Sequence, residues 1–144
     1  GISVLDLFSG TGSISYEFAS RGANEIIAVE LNYNHFAFIK RMSKELGFRN
    51  LKVYKTDMFM ACQKLKGRKF DLIFADPPYN LPSIQQVPLS IFENDLLTEN
   101  GIAVIEHPAS VDYSALPYFY ERRKYGSVNF SLFRKKAPGN SCEE

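Results

Sequence analysis

Five short apolar runs, Val4–Leu7, Glu25–Glu30, Leu51–Tyr54, Phe70–Ala75 and Gly101–Glu106, alternate with stretches of helical spacing, and this rhythm limits the chain to few folds. Runs without polar alternation suit strands buried on both faces, as in parallel sheets covered by helices. Parallel neighbours need a crossover of about a dozen residues or more, which a helix supplies. The spacing predicts helices over Ser13–Ser20, Asn32–Leu46, Asp57–Leu65 and Leu89–Leu97. Gly22 and Gly47 follow the first two as C-terminal stops, and Phe36, Ile39, Met42 and Leu46 share one face of the second. The end of the chain breaks the rhythm, because Tyr118–Tyr125 and Ser127–Phe133 are separated only by Gly126. That gap is too short for a crossover, so the two runs form an antiparallel hairpin. The expected architecture is α/β, with seven strands, mostly parallel, and helices on both faces.

A chain of 144 residues is long enough for one domain with a single core. Residues 1–136 are read as that domain and residues 137–144 as a disordered tail with little to bury. The opening on an apolar strand without an initiator Met reads as a fragment whose parent has a segment ahead of Gly1. Cys62 and Cys142 stand far apart with no metal-ligand or redox spacing, Cys62 for packing and Cys142 in the tail. Reduced thiols, no membrane-length apolar run and no signal peptide suggest a soluble, cytoplasmic protein without metal. The net charge of +1 conceals segregation. Residues 1–69 carry eleven Lys/Arg against six Asp/Glu, residues 70–120 none against seven, and residues 121–144 six against three. A basic face near an acidic rim would let a polyanion dock, although ordinary solvated faces give the same count.

The fourth apolar run ends in Asp76-Pro77-Pro78-Tyr79, which places an acid, two prolines and an aromatic ring at a strand's carboxyl end. Ligands of open α/β sheets bind at that end, where the strand order reverses. The prolines lock φ and lack N–H groups, so the segment leaves the sheet as a stiff turn with carbonyls free to accept. Asp76 and the Pro77 carbonyl can grip the two hydrogens of an exocyclic amine while Tyr79 stacks on its ring, a pattern that fits a nucleobase. A plain strand end followed by a capped turn is the competing reading of these four residues.

Between the first strand and first helix lies Phe8-Ser9-Gly10-Thr11-Gly12-Ser13-Ile14-Ser15. Glycines there permit positive φ and close approach of a ligand, and the helix start offers N–H groups, although many tight turns carry two glycines for packing alone. Glu30 ends the second strand twenty residues after Gly10, where an acid can accept both hydroxyls of a ribose. NAD and S-adenosylmethionine both satisfy this geometry. Three details favour the second: Ser15 replaces the third glycine of the dinucleotide fingerprint, Asp6 offers a carboxylate to a cationic amino-acid moiety, and Asp57 or the Met58 N–H can reach an adenine amine. Asp57 is also a natural N-cap.

With LDLFSGTG, Glu30, Asp57 and DPPY in order on the expected elements, the chain resembles class I S-adenosylmethionine-dependent methyltransferases, a Rossmann-like fold, over nearly its whole length. Within that class, DLFSGTG, the following RGA, VE and DPPY look like the RsmD family, which methylates guanine N2 of small-subunit ribosomal RNA. The resemblance implies a cofactor pocket lined by Asp6, Phe8, Ser9, Gly10, Gly12, Glu30, Leu31, Asp57 and Met58. It implies an acceptor site made by Asp76, Pro77, Pro78 and Tyr79, and a nucleic-acid partner, ribosomal RNA or a small-subunit particle. DNA adenine-N6 or cytosine-N4 methylation, and a degenerate module that only binds cofactor or RNA, are the alternatives.

The remaining candidates receive structural readings. His35 and His107 lack ligand-spaced partners. Tyr113, Tyr118, Phe119, Tyr120 and Tyr125 fit a sheet core better than a base-stacking row. Arg122, Arg123 and Lys124 are either phosphate contacts or a solvated strand end, and the loop 80–88 either covers a flipped base or simply connects.

Overall fold

The computed structural model describes residues 1–135, so the expected tail at 137–144, with Cys142, lies outside the described residues. The elements are β1 (Ser3–Leu7), α1 (Ser13–Ser20), β2 (Glu25–Val29), α2 (Tyr33–Glu45), β3 (Leu51–Tyr54), α3 (Met58–Lys64), β4 (Phe70–Ala75), α4 (Gln86–Glu93), β5 (Leu97–His107), β6 (Phe119–Tyr125) and β7 (Val128–Phe133). They form one seven-stranded sheet of order β3-β2-β1-β4-β5-β7-β6. β1 to β5 pair in parallel, while β7 runs antiparallel to β5 and β6 antiparallel to β7. The chain winds outward from β1 to β3 and then returns to β4 on β1's other side. That reversal opens a crevice between the carboxyl ends of β1 and β4.

Alternation along the strands divides the core into two layers. Leu5, Leu7, Ile27, Val29, Ile73 and Ala75 meet Met58, Ala61 and Cys62 of α3 and Val87 and Ile91 of α4 on one face. Val4, Ile26 and Ala28 meet Ala19 of α1 and Ile39 of α2 on the other. Each fully buried Leu or Ile contributes about 1.5–3 kcal/mol of transfer free energy, so both helix pairs are pressed onto the sheet by burial rather than by propensity. Asn32 caps α2 by accepting from the His35 N–H at 3.0 Å.

Several boundaries differ from the sequence reading. The helix expected at Leu89–Leu97 is α4 at Gln86–Glu93, and Leu97 instead begins β5. Pro88 falls in the first turn of α4, where its missing N–H costs no helical hydrogen bond, so a residue read as loop belongs to the helix. β5 starts before Gly101 and bulges between its pairings Phe70↔Leu97 and Leu72↔Ile102. A Cβ on Gly101 would stand 2.8 Å from Thr98 Oγ1 and 2.9 Å from the Leu97 side chain, which explains a glycine inside the strand. Leu46 is the α2 C-cap and is 52% exposed, so the apolar face of that helix ends at Met42.

The aromatic group of the C-terminal region is not one core. Tyr113 is buried, donating from its hydroxyl to the Ile84 carbonyl at 2.7 Å, whereas Tyr118, Tyr120 and Tyr125 are exposed. The last two lie on β6, the sheet edge, whose charged residues discourage pairing with another strand. Among the described residues, no helix is long and apolar enough to cross a membrane.

Candidate active site at the strand carboxyl ends

The turn after β1 is held by its own polar groups. Ser9 donates from its N–H to the Val29 carbonyl at 2.9 Å, and its hydroxyl donates to the Asp6 carbonyl at 2.7 Å and accepts from the Val29 N–H at 3.1 Å. These bonds tie the turn to the end of β2. Phe8, Gly10 and Gly12 all have positive φ, at 59°, 58° and 88°. For Phe8 this is a strained conformation, and it points to a turn determined by its surroundings. The two glycines differ. A Cβ on Gly12 would lie 2.9 Å from Cζ of Tyr16, whereas one on Gly10 would have nothing within 4 Å. Gly12 is therefore needed for packing, whereas Gly10 leaves open space beside the backbone.

Glu30 joins the first two strand–helix turns. Its Oε1 accepts from the Gly10 N–H at 2.7 Å and its Oε2 from the Asn32 N–H at 2.9 Å. Each carboxylate oxygen has a second acceptor site, so both can still receive a hydroxyl. Asp57 caps α3, with Oδ1 accepting from the Phe59 and Met60 N–H groups at 2.9 and 3.0 Å. Its Oδ2 accepts no hydrogen bond among the described residues.

Asp6 behaves differently from the other acids. It is 1% exposed, and Oδ2 accepts from the Ser15 hydroxyl at 2.7 Å. Burial pushes its carboxyl up to about 6, opposed by the Ser15 and Ser9 hydrogen bonds. It stands beneath the turn, and it organises that turn rather than meeting a ligand across open space.

A cleft of about 610 Å³ occupies the crevice. Phe8, Glu30, Leu31, Asp57 and Met58 form one side, and Pro78, Leu81 and Ser83 of the segment after β4 form the other. Five of the nine residues expected for the cofactor thus line one cavity, while Asp6, Ser9, Gly10 and Gly12 shape the turn behind it. Asn32, Thr56 and Phe59 also line the cleft and were not singled out from the sequence. All three flank a strand end or a helix start, the positions that a doubly wound sheet directs at its ligand.

After β4, Pro77 is buried while Asp76, Pro78 and Tyr79 are exposed. The Pro78 carbonyl accepts from the Leu81 N–H at 3.0 Å, whereas no turn or loop backbone bond among the described residues goes to the Pro77 carbonyl. Tyr79 is 57% exposed. Asp76 has a neighbour that sequence reasoning missed. The β4–β5 register pairs Ala75 with Ile105, so Asp76 and Glu106 follow side by side at the strand ends. Their carboxyls come within hydrogen-bond reach of each other. Desolvation, the largest cause, raises both above the usual carboxylate range. The shared hydrogen bond partly offsets this for Asp76, whereas the Asp76 charge lifts Glu106 further and the nearby Tyr79 hydroxyl opposes that rise. The one available signal was that the fifth apolar run ends in an acid, as the second does.

The other candidates are structural. His107 is buried, with Nδ1 2.9 Å from the Pro108 carbonyl and Nε2 2.7 Å from the Ser131 hydroxyl. Burial lowers its pKa, which favours the neutral ring. Arg122 donates to the Val111 and Ala109 carbonyls at 3.1 and 2.9 Å and to Asn129 Oδ1 at 3.1 Å, which ties down the segment between β5 and β6. Arg123 pairs with Glu121. Of the three basic residues considered for phosphate, Arg122 is held by neutral acceptors and Arg123 by Glu121, while Lys124 makes no side-chain hydrogen bond or ion pair among the described residues. No group of three or more His, Cys, Asp or Glu stands together as a metal site among them.

The family described as "Conserved hypothetical protein 95" matches residues 1–134. The chain belongs to this family. Ribosomal RNA small subunit methyltransferase D of Buchnera aphidicola subsp. Baizongia pistaciae is 25% identical over 133 residues, covering 90% of this chain and 67% of that protein. A conserved Streptococcus pyogenes protein of solved structure is 29% identical with a TM-score of 0.80, covering 94% of this chain and 87% of that one. The structure of SMU.776, solved with SAH, shares the fold at a TM-score of 0.75 and 17% identity, over 92% of this chain and 45% of that one. The chain is an S-adenosylmethionine-dependent methyltransferase of the class I fold, in the RsmD family that its motifs resemble. The site fits that cofactor: the Glu30 and Asp57 carboxylates line one cavity together with the apolar side chains of Phe8, Leu31 and Met58, a lining that suits a nucleoside.

Proposed function

We propose that this protein methylates the exocyclic N2 amine of a guanine in small-subunit ribosomal RNA. The observation that carries the reading is Asp76-Pro77-Pro78-Tyr79 at the end of β4, with Pro78 facing Glu30 and Asp57 across one cleft. Glu30 accepts from the ribose hydroxyls, Asp57 accepts from the adenine amine while the Met58 N–H donates to the ring nitrogen beside it, and the turn at Phe8–Gly12 receives the amino-acid end. S-adenosylmethionine supplies a methyl already activated by a positively charged sulfur, so the protein's main task is to position the acceptor.

An aromatic amine is a poor nucleophile because its lone pair is delocalised into the ring. Hydrogen bonds from its two N–H groups to Asp76 and the Pro77 carbonyl favour a pyramidal nitrogen with the lone pair free. Asp76 then takes the proton that the nitrogen sheds once it is alkylated. Extracting a paired base costs a few kcal/mol, and stacking on exposed Tyr79, worth ~1–3 kcal/mol, offsets much of that. The ribosomal substrate is supported by the name of the Buchnera relative and by the family match.

The test offers the protein naked small-subunit rRNA, small-subunit particles and duplex DNA with methyl-labelled cofactor, followed by nucleoside mass spectrometry. N2-methylguanosine in RNA is the expected product. Label on DNA adenine or cytosine would overturn the assignment of substrate.

A further inference from the structure

We propose that Glu106 is a specificity-determining residue of the acceptor site, where it reads the ring N–H beside the amine that Asp76 holds. The inference rests on the exocyclic-amine reading above and goes beyond it, because the Asp-Pro-Pro-Tyr segment alone grips any exocyclic amine.

The geometry is set by the sheet. Ala75 pairs with Ile105 in a parallel register, so the next residues, Asp76 and Glu106, present their carboxyls side by side at adjacent strand ends. Two carboxyls in contact disfavour ionising together, so the pair holds a proton more tightly than either acid alone would. A base edge carrying two adjacent N–H donors can take the place of that proton and leave both acids ionised. Guanine has such an edge, its N2 amine next to N1–H. Adenine and cytosine place an unprotonated ring nitrogen beside the amine, and that lone pair would face the Glu106 carboxylate. Tyr79 stands beside Glu106 and favours its charged, accepting form. The residue that offers its ring for stacking thus also steadies the group that reads the base edge.

The decisive probe is 2-aminopurine, which keeps the exocyclic N2 amine but has a bare N1. RNA carrying guanine or 2-aminopurine at the methylated position is compared with wild type, Glu106→Gln and Glu106→Asp protein. Transfer is measured by label, and capture of the 2-aminopurine base by quenching of its fluorescence. Wild type should prefer guanine by about 10- to 150-fold, the range for losing a hydrogen bond to a charged group. Glu106→Gln, which can present an N–H to a bare ring nitrogen, should compress that preference to within a few-fold and strengthen the quenching. Glu106→Asp keeps the charge and should keep the sign of the preference.

A wild type that does not distinguish the two bases would overturn the proposal. So would a Glu106→Gln protein that loses the same factor on both probes, because that pattern belongs to a merely structural carboxylate. Failure of the parent reading looks different: wild type would then methylate no guanine at all.

Discussion

The two halves of the active site are built on opposite principles. On the cofactor side, around β1, β2 and β3, the polar groups are already engaged with protein partners. Glu30 holds the Gly10 and Asn32 N–H groups, Asp57 caps α3, and Ser9 ties the turn to β2. On the acceptor side, Asp76 and Glu106 face one another, the Pro77 carbonyl receives no loop hydrogen bond among the described residues, and the Tyr79 ring is open. The cofactor half is preorganised by its hydrogen bonds. The acceptor half is kept in place by stiff prolines and strand register. Under the proposed function this division suits a site that reuses one cofactor but must admit a base from a large, structured partner.

The comparison breaks most visibly at Asp76. Asp76→Ala should lower transfer by about 10²–10³-fold, the scale for removing one positioned partner of the reacting group, with cofactor affinity nearly unchanged by calorimetry. Equal losses of binding and turnover would show that the two halves are one unit.

The next effect is on folding. Gly12→Ala drives a Cβ against Tyr16 and Ile39 at positive φ and should cost about 3 kcal/mol in thermal or denaturant unfolding. Gly10→Ala meets no atom within 4 Å, so it should cost only about 1 kcal/mol of backbone strain. Its larger effect should be on cofactor affinity. If the two variants lose equal stability, Gly10 also serves packing.

Glu30→Gln should weaken S-adenosylhomocysteine by about 1.5–3 kcal/mol, because hydrogen bonds to a charged group are replaced by weaker ones. Unchanged affinity in calorimetry would remove Glu30 from the ribose site.

The smallest effect separates Asp6 from the other acids. Its folded pKa, about 6, lies above the ordinary value of 3.8, so folding takes up a proton there. The favourable contribution of protonated Asp6 is complete below about 4 and is lost as the pH rises through about 6. Asp6→Asn keeps an acceptor for Ser15 without the buried charge. It should therefore raise stability at pH 8 by roughly 2 kcal/mol, with the gain shrinking toward pH 4. A gain independent of pH would mean that the carboxyl is not the cause.

Much of this was legible along the chain. The alternation of apolar runs implied the parallel sheet, the single Gly126 implied the hairpin, and Glu30 and Asp57 could be placed because one follows directly on β2 and the other directly precedes α3. Such features depend on contacts between residues near in sequence or on one strand's own end, where local chemistry dictates geometry. Boundaries were less legible where two local rules competed. Pro88 resembled a loop residue but sits in a helix's first turn, and Tyr118, Tyr120 and Tyr125 had strand-like spacing but lie on or beside an edge strand.

Other relations exist only once the strands are ordered. Asp76 and Glu106 lie 30 positions apart in the chain and become neighbours because β4 and β5 pair in one register. Arg122 could be read as a phosphate contact until the fold brought the Val111 and Ala109 carbonyls and Asn129 around it. Asp6 could be read as a partner for a cationic amino-acid moiety until the turn closed over it and Ser15 met its carboxylate. In each case a charged side chain was recognisable at once, but its partner came from a distant segment. Local sequence can specify which groups a strand end or turn presents; burial and register decide whether those groups meet a ligand, another acid or the protein's own backbone.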